Sequence, residues 1–251
     1  MMEYDKAKLQ WLEYDLLEPY PHVLHGTFSR HGGVSQGKFG TLNLGSGTAD
    51  NPEHVKTNRA LVSKAVGVQK IVYPHQNHGV NVHRVSAKNI DQLPQADALY
   101  TTEKNIGLGV THADCQAVIL YDPVHEAIAV AHAGWRGSAQ NILSRLIESM
   151  QRELGTQPHN LIACISPSLG PDHAEFKNYK QELPKEFWEF QKKPHYFDFW
   201  AISRMQLSKC GLLDKNIEVA EICTHCSTDD YFSHRVEKDT GRNATIVAMK
   251  P

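Results

Sequence analysis

Cys115 and His132 stand near opposite ends of THADCQAVILYDPVHEAIAVAHAGWRG, Thr111 to Gly137, which otherwise reads as two buried strands joined by a turn. A thiol and an imidazole that share a site suit metal or acid–base chemistry, and the same two groups make a nucleophile and its base. A turn centred between Pro123 and Val124 puts Cys115 directly opposite His132, where Cβ atoms of an antiparallel pair lie about 4.5–5.5 Å apart on one face. Asp114 and Gln116 are polar at a strand entrance. Gly134-Trp135-Arg136-Gly137 reads as a tight strand-to-helix turn whose N–H groups, with Arg136, suit an anion such as phosphate.

The elements that must position these residues follow from pattern. Ile106 to Val110, Cys115 to Tyr121 and Ala127 to Ala133 are apolar runs of strand length. After the GWRG turn, Ile142, Leu143, Leu146, Ile147, Met150 and Leu154 recur at helical spacing, and Gly155 supplies a stop. An earlier helix is predicted from Asp50 to Val66, capped by Asn51 with Pro52 in its first turn. Ile71 to Tyr73 and Val80 to Val85 are strands flanking a polar PHQNHG connection. Leu161 to Ile165, Ile217 to Ile222 and Ala244 to Met249 complete the strands, and Phe199 to Cys210 a further helix. This mixture predicts an α/β sandwich with mixed sheets, as one domain over residues 1–251.

Charge is nearly balanced, with 26 Lys+Arg against 28 Asp+Glu and no long run of either sign, which favours neither nucleic acid nor a membrane surface as partner. A small molecule is the expected partner. The amino terminus lacks the basic start and apolar core of a signal peptide, and no run of about 18 apolar residues occurs, so a cytoplasmic protein is expected. Five cysteines argue for reduced thiols over a disulfide framework, and 15 histidines raise the weight of metal or acid–base chemistry.

In order along the chain, FSRHGGVS, LNLG, HQNHG, ADALYT, THADCQAVILYDP, AHAGWRG, CTHC, FSHR and TGRNATI resemble the multicopper polyphenol oxidase, or laccase-domain, family, which has been reassigned as purine nucleoside phosphorylases with adenosine deaminase activity. The resemblance runs from about Phe28 to the carboxyl terminus. It implies a layered α/β/β/α sandwich and a zinc site made by His78, Cys115 and His132, three ligands with one open position, as catalytic zinc requires. Copper is the alternative metal. The implied reactions are phosphorolysis of adenosine, inosine or S-methyl-5′-thioadenosine and hydrolytic deamination of adenosine, by a monomer or small homo-oligomer that uses a nucleoside and phosphate. The resemblance assigns substrate binding to Arg30 and, for phosphate or ribose, to Arg136 and Arg242. Asp114 is the candidate for orientation or proton transfer beside the ligands.

Other readings remain open. A trinuclear copper oxidase needs close H-x-H pairs, and no histidine here lies two residues from another. A metal-free hydrolase would use Cys115 as nucleophile and His132 as base. His75, His83 and His112 compete as ligands. CTHC, Cys223 to Cys226, is half of a four-sulfur site without a second C-x-x-C, or a redox pair, or two buried structural cysteines. The chain also departs from the family: where members commonly carry a cysteine-rich segment, it reads SPSLGPDHAEF, Ser166 to Phe176. Asp172 and His173 stand there as substitute polar or metal-binding groups.

Overall fold

The computed structural model describes residues 8–92 and 94–250. The expectation of one domain over 1–251 and the reading of the first residues therefore extend outside the described residues. The strands are β1 (Trp11–Leu12), β2 (Val23–Phe28), β3 (Lys70–Val72), β4 (Val82–Arg84), β5 (Ala98–Thr101), β6 (Ile106–His112), β7 (Gln116–Asp122), β8 (Ala127–Ala133), β9 (Ile162–Ile165), β10 (Gln191–Lys193), β11 (Tyr196–Phe197), β12 (Ile217–Val219) and β13 (Asn243–Met249). The helices are α1 (Pro52–Val66), α2 (Trp135–Ala139), α3 (Ile142–Leu154), α4 (Tyr179–Glu182) and α5 (Phe199–Lys209). The sequence pattern passes over β2 and β5, short strands in which Gly26, His25 and Thr101 dilute the apolar signal. Among the described residues no helix is long and apolar enough to cross a membrane.

One sheet has the order β1-β2-β13-β6-β3 and a second β12-β9-β7-β8-β5-β4. They pack face to face through Leu108, Val110, Val247 and Met249 on one side and Ala117, Ile119, Tyr121, Ile128 and Val130 on the other. Alternate residues of β7 and β8 point the opposite way, so that Val118, Leu120, Ala129 and Ala131 meet Ile142, Leu143, Leu146 and Met150 of α3 and Leu207 of α5. Val62 of α1 packs on the outer face of the first sheet with Phe28, Ile246 and Ala248. The architecture is the α/β/β/α sandwich expected. Central strands buried on both faces explain why AVILY reads as one continuous apolar run. Each buried Val, Ile or Leu side chain contributes roughly 1.5–3 kcal/mol of hydrophobic stabilisation.

The helix signals act as their chemistry predicts. Asn51 accepts the Glu53 N–H ahead of α1, and Asn141 accepts that of Ser144 ahead of α3. Gly155 closes α3 with φ 78°, a left-handed value that side chains disfavour.

The β7–β8 register differs from the expectation. His132 pairs with Ala117 and Asp122 with Ala127, which shifts the hairpin by two residues. Asp122 Oδ1 accepts the N–H groups of Val124 and His125 at 2.9 and 3.2 Å, and Glu126 follows at φ 46°, so the loop is wound longer than a two-residue turn. A shift of two preserves the face, because side chains alternate with period two. Cys115 thus lies diagonal to His132, not opposite it, and both stay at the edge of the layer between the sheets.

Candidate metal centre

A half-buried thiol, a buried imidazole and an exposed one converge at this edge. The donor atoms of Cys115, His132 and His78 all lie within 4.8 Å of one another. The rings of His78 and His132 meet edge to face, with centroids 4.8 Å apart. His78 comes from the loop between β3 and β4 and is held at φ 59°.

The device that holds it is Asp97, at the entrance to β5. Its carboxylate is buried and accepts the backbone N–H groups of Asn77, His78 and Gly79 at 3.2, 3.0 and 2.8 Å. It also lies 2.8 Å from Nδ1 of His132, whose backbone N–H reaches the Asp97 carbonyl. One carboxylate therefore shapes the NHG turn and orients the His132 ring, turning its other nitrogen, Nε2, away from Asp97. Carboxylate-to-histidine pairing of this kind accompanies metal-ligating imidazoles. Burial alone would raise the Asp97 carboxyl, but the hydrogen bonds from His132 and the loop amides hold it below its ordinary value.

The electrostatics favour a thiolate. Burial opposes ionisation of Cys115, yet the charge of His132 and hydrogen bonds from both imidazoles bring the thiol well below the ordinary cysteine range. His132, which burial would lower, is raised by Cys115 and Asp97. Gly134 leaves the space between the donors open: a Cβ there would lie 3.1 Å from Cys115 Sγ and 3.1 Å from His78 Cδ2. Two imidazoles, a thiolate and that space fit a borderline-soft cation such as zinc or copper.

Two hollows flank the triad. The first, about 380 Å³, is lined by Trp135, Phe176, Phe199 and Leu169, with Arg136 and Arg235. The second, about 450 Å³, carries Arg59, Arg242, His75 and the Gly45–Thr48 loop. They share His78, Ala113, Cys115 and His234. Arg242 is fixed by the carbonyls of Thr240 and Gly241 at 2.6 and 2.9 Å, and Arg59 by that of Leu44 at 2.9 Å. Arg136 lies over its neighbour's ring, 5.0 Å from the Trp135 centroid.

Asp114 lines the first hollow, but its oxygens are engaged. They accept from Thr224 Oγ1 and Ser233 Oγ, each at 2.7 Å, and from the Arg235 N–H at 2.6 Å. These contacts make it a clamp between chain segments just before Cys115. Arg30 lines neither hollow. Its guanidinium donates to the carbonyls of Gly40 and Thr228 at 3.1 and 2.7 Å and lies over Phe232. His112 faces Thr245 through Nε2 at 2.9 Å, while its buried Nδ1 lacks a partner. Burial, reinforced by repulsion from His132, pushes His112 down to about 3. His75, His83 and His112 belong to neither of the two His/Cys groups among the described residues that are compact enough for a metal. The other group is His173, His225 and Cys226.

Asp97, Arg59, His234 and Arg235 are the residues that pattern alone does not single out. Asp97 stands inside ADALYT and His234-Arg235 inside FSHR, so the signal available was a charged or polar residue at a fixed place in a motif.

A family model described as multi-copper polyphenol oxidoreductase laccase matches residues 24–250. A protein of Bacteroides thetaiotaomicron named purine nucleoside phosphorylase is 30% identical, over 89% of this chain and 90% of its own. A Streptomyces coelicolor protein with the same designation is 34% identical, over 88% and 93%. The crystal structure of a Bacillus licheniformis hypothetical protein superimposes with a TM-score of 0.86 at 27% identity, covering 93% of this chain and 95% of that one.

Proposed function

The chain belongs to the multi-copper polyphenol oxidoreductase laccase family, and from that membership, together with its relatives' names, we propose that it is a metal-dependent purine nucleoside phosphorylase. Its substrates on this reading are adenosine, inosine and S-methyl-5′-thioadenosine, with hydrolytic deamination of adenosine as a second activity and zinc as the metal. The observation that carries the reading is the pair of hollows, one aromatic with Arg136 and Arg235 and one lined by Arg59, Arg242 and the Gly45–Thr48 loop, that meet at His78 and Cys115.

Phosphorolysis forms a bond from a phosphate oxygen to ribose C1′ and breaks the bond from C1′ to the base, whose electron pair leaves with the purine. Arg242, Arg59 and the Gly45–Thr48 loop line the side suited to phosphate. Trp135, Phe176 and Phe199 offer ring faces and edges to a purine, and Arg136 with Arg235 supplies positive charge as the base takes up electrons. His78, Cys115 and His132 would hold the metal. When bound, zinc would supply Lewis acidity and an open coordination position. Asp97 sets the orientation of His132, and Asp114 fixes the segment that carries Cys115.

The test is chromatography of each nucleoside incubated with purified protein, with and without phosphate, paired with elemental analysis. Phosphate-dependent release of free base by zinc-loaded protein supports the reading, and none with any of the three nucleosides would sink it. Inosine formed from adenosine without phosphate marks the second activity. The lowered Cys115 thiol also suits a metal-free Cys/His hydrolase, for which chelation would leave turnover intact and thiol alkylation would end it. Turnover of phenols that follows copper loading would point instead to oxidation.

A further inference from the structure

The CTHC motif lacks a second C-x-x-C in sequence, but the fold supplies other partners. Cys223 Sγ and Cys226 Sγ each lie 3.6 Å from the same atom, Nδ1 of His173. The His225 ring stacks on that of His173 with centroids 3.9 Å apart, and the donor atoms of His173, His225 and Cys226 all lie within 4.8 Å of one another. We propose that Cys223, Cys226 and His173 form a second metal site, a three-ligand set of two sulfurs and one nitrogen for a thiophilic divalent cation such as zinc, separate from the Cys115 centre, with the His225 ring stacked on that of His173 and not itself a ligand.

Three observations carry this. A ring nitrogen has one in-plane position for a hydrogen bond, so two thiols converging on His173 Nδ1 cannot both be satisfied by it, whereas a shared cation satisfies all three. The separation also fits: tetrahedral zinc with bonds of about 2.3 Å to sulfur and 2.0–2.1 Å to nitrogen sets neighbouring S and N atoms about 3.6 Å apart. Finally, the Gly170 N–H donates to Cys223 Sγ at 3.2 Å, a contact that supports a thiolate ligand. Gly170 permits this approach, since a Cβ would lie 3.0 and 3.1 Å from Cβ and Sγ of Cys223.

The position gives the site a structural task. His173 lies in the departing SPSLGPDHAEF segment, whose Leu169, Ala174 and Phe176 line the aromatic hollow. Thr224, between the cysteines, donates to Asp114, and the Leu169 N–H reaches the Asp114 carbonyl. A cation here would join the hollow's wall to the turn that clamps the Cys115 segment.

The experiment uses the full chain as Cys115→Ser, which removes the thiolate of the first centre and leaves the second set intact. Loaded with cobalt(II) under reducing, anaerobic conditions, this variant should show thiolate-to-cobalt charge-transfer absorption. With zinc, Cys223 and Cys226 should be protected from alkylation at least tenfold relative to the metal-free form, read residue by residue by mass spectrometry. Adding His173→Ala should weaken cobalt binding at least tenfold, with near-ultraviolet circular dichroism as the check on folding. Absence of the charge-transfer band in Cys115→Ser, equal alkylation with and without zinc, or a Cys223–Cys226 disulfide that persists under reductant and excludes zinc would each overturn the proposal. The first two readouts need no variant within the second site, so a folding failure of His173→Ala leaves the test decisive.

Discussion

Oδ1 of Asp97 lies 2.8 Å from Nδ1 of His132, and the same carboxylate collects the N–H groups of the loop that carries His78. A single buried side chain thus sets the position of two of the three candidate ligands.

Asp97→Asn keeps the shape and one acceptor oxygen but replaces the charge that orients His132. Metal affinity should fall about 10- to 100-fold, the usual effect of removing such a partner, and excess metal should restore occupancy. Competition with a chromophoric chelator measures this, and unchanged affinity would remove Asp97 from the centre.

Gly134→Ala tests the space between the donors. Its Cβ would lie 3.1 Å from Cys115 Sγ and 3.1 Å from His78 Cδ2, tight enough to displace a ligand, while the backbone at φ −66° tolerates alanine. Metal content and base release should both fall at least tenfold with the melting temperature shifted by no more than a few degrees. A fully loaded, active Gly134→Ala would show that the donors converge elsewhere.

The two hollows predict a kinetic split. Arg242→Ala should raise KM for phosphate at least tenfold with a smaller effect on KM for nucleoside, because a charged hydrogen-bond donor to the anion is lost. Arg136→Ala should act mainly on the nucleoside side. The reverse pattern from initial-rate kinetics would exchange the occupants of the hollows.

Arg30 is predicted to matter for stability. Arg30→Ala removes donors to the Gly40 and Thr228 carbonyls and the contact over Phe232. Denaturant melts should show a loss of about 1–3 kcal/mol, with both KM values within about twofold of the parent. A large rise in either KM with stability intact would return Arg30 to substrate binding.

The hairpin loop predicts an acid-sensitive contribution. Burial would raise the Asp122 carboxyl, but hydrogen bonds from its surroundings, among them the His125 ring and the amides of Val124 and His125, hold it below its ordinary value. A depressed folded-state value gives stability that is complete above the unfolded value of about 3.9 and is lost as pH falls through the folded one. Melting temperature should therefore drop more steeply below about pH 4 in the parent than in Asp122→Asn, which should already be less stable at pH 7. Parallel curves would exclude this carboxylate as a source of acid lability.

The sequence by itself determined the strongly periodic parts. Ala127–Ala133 and Ile142–Leu154 declare themselves because central strands and an amphipathic helix bury their side chains at fixed periods, and Asn51 and Gly155 mark helix ends through local backbone chemistry. The convergence of Cys115 and His132 was legible too, since a two-residue error in register leaves the face of a strand unchanged. The register itself was not, because it depends on how Asp122 winds the loop. Nor was the meeting of Asp97 with His132, or of His173 with Cys223 and Cys226, residues separated by 35, 50 and 53 positions. Periodicity records which face a residue shares with near neighbours. Contacts between loops at the edge of two packed sheets arise only when the whole core has fixed where those edges lie.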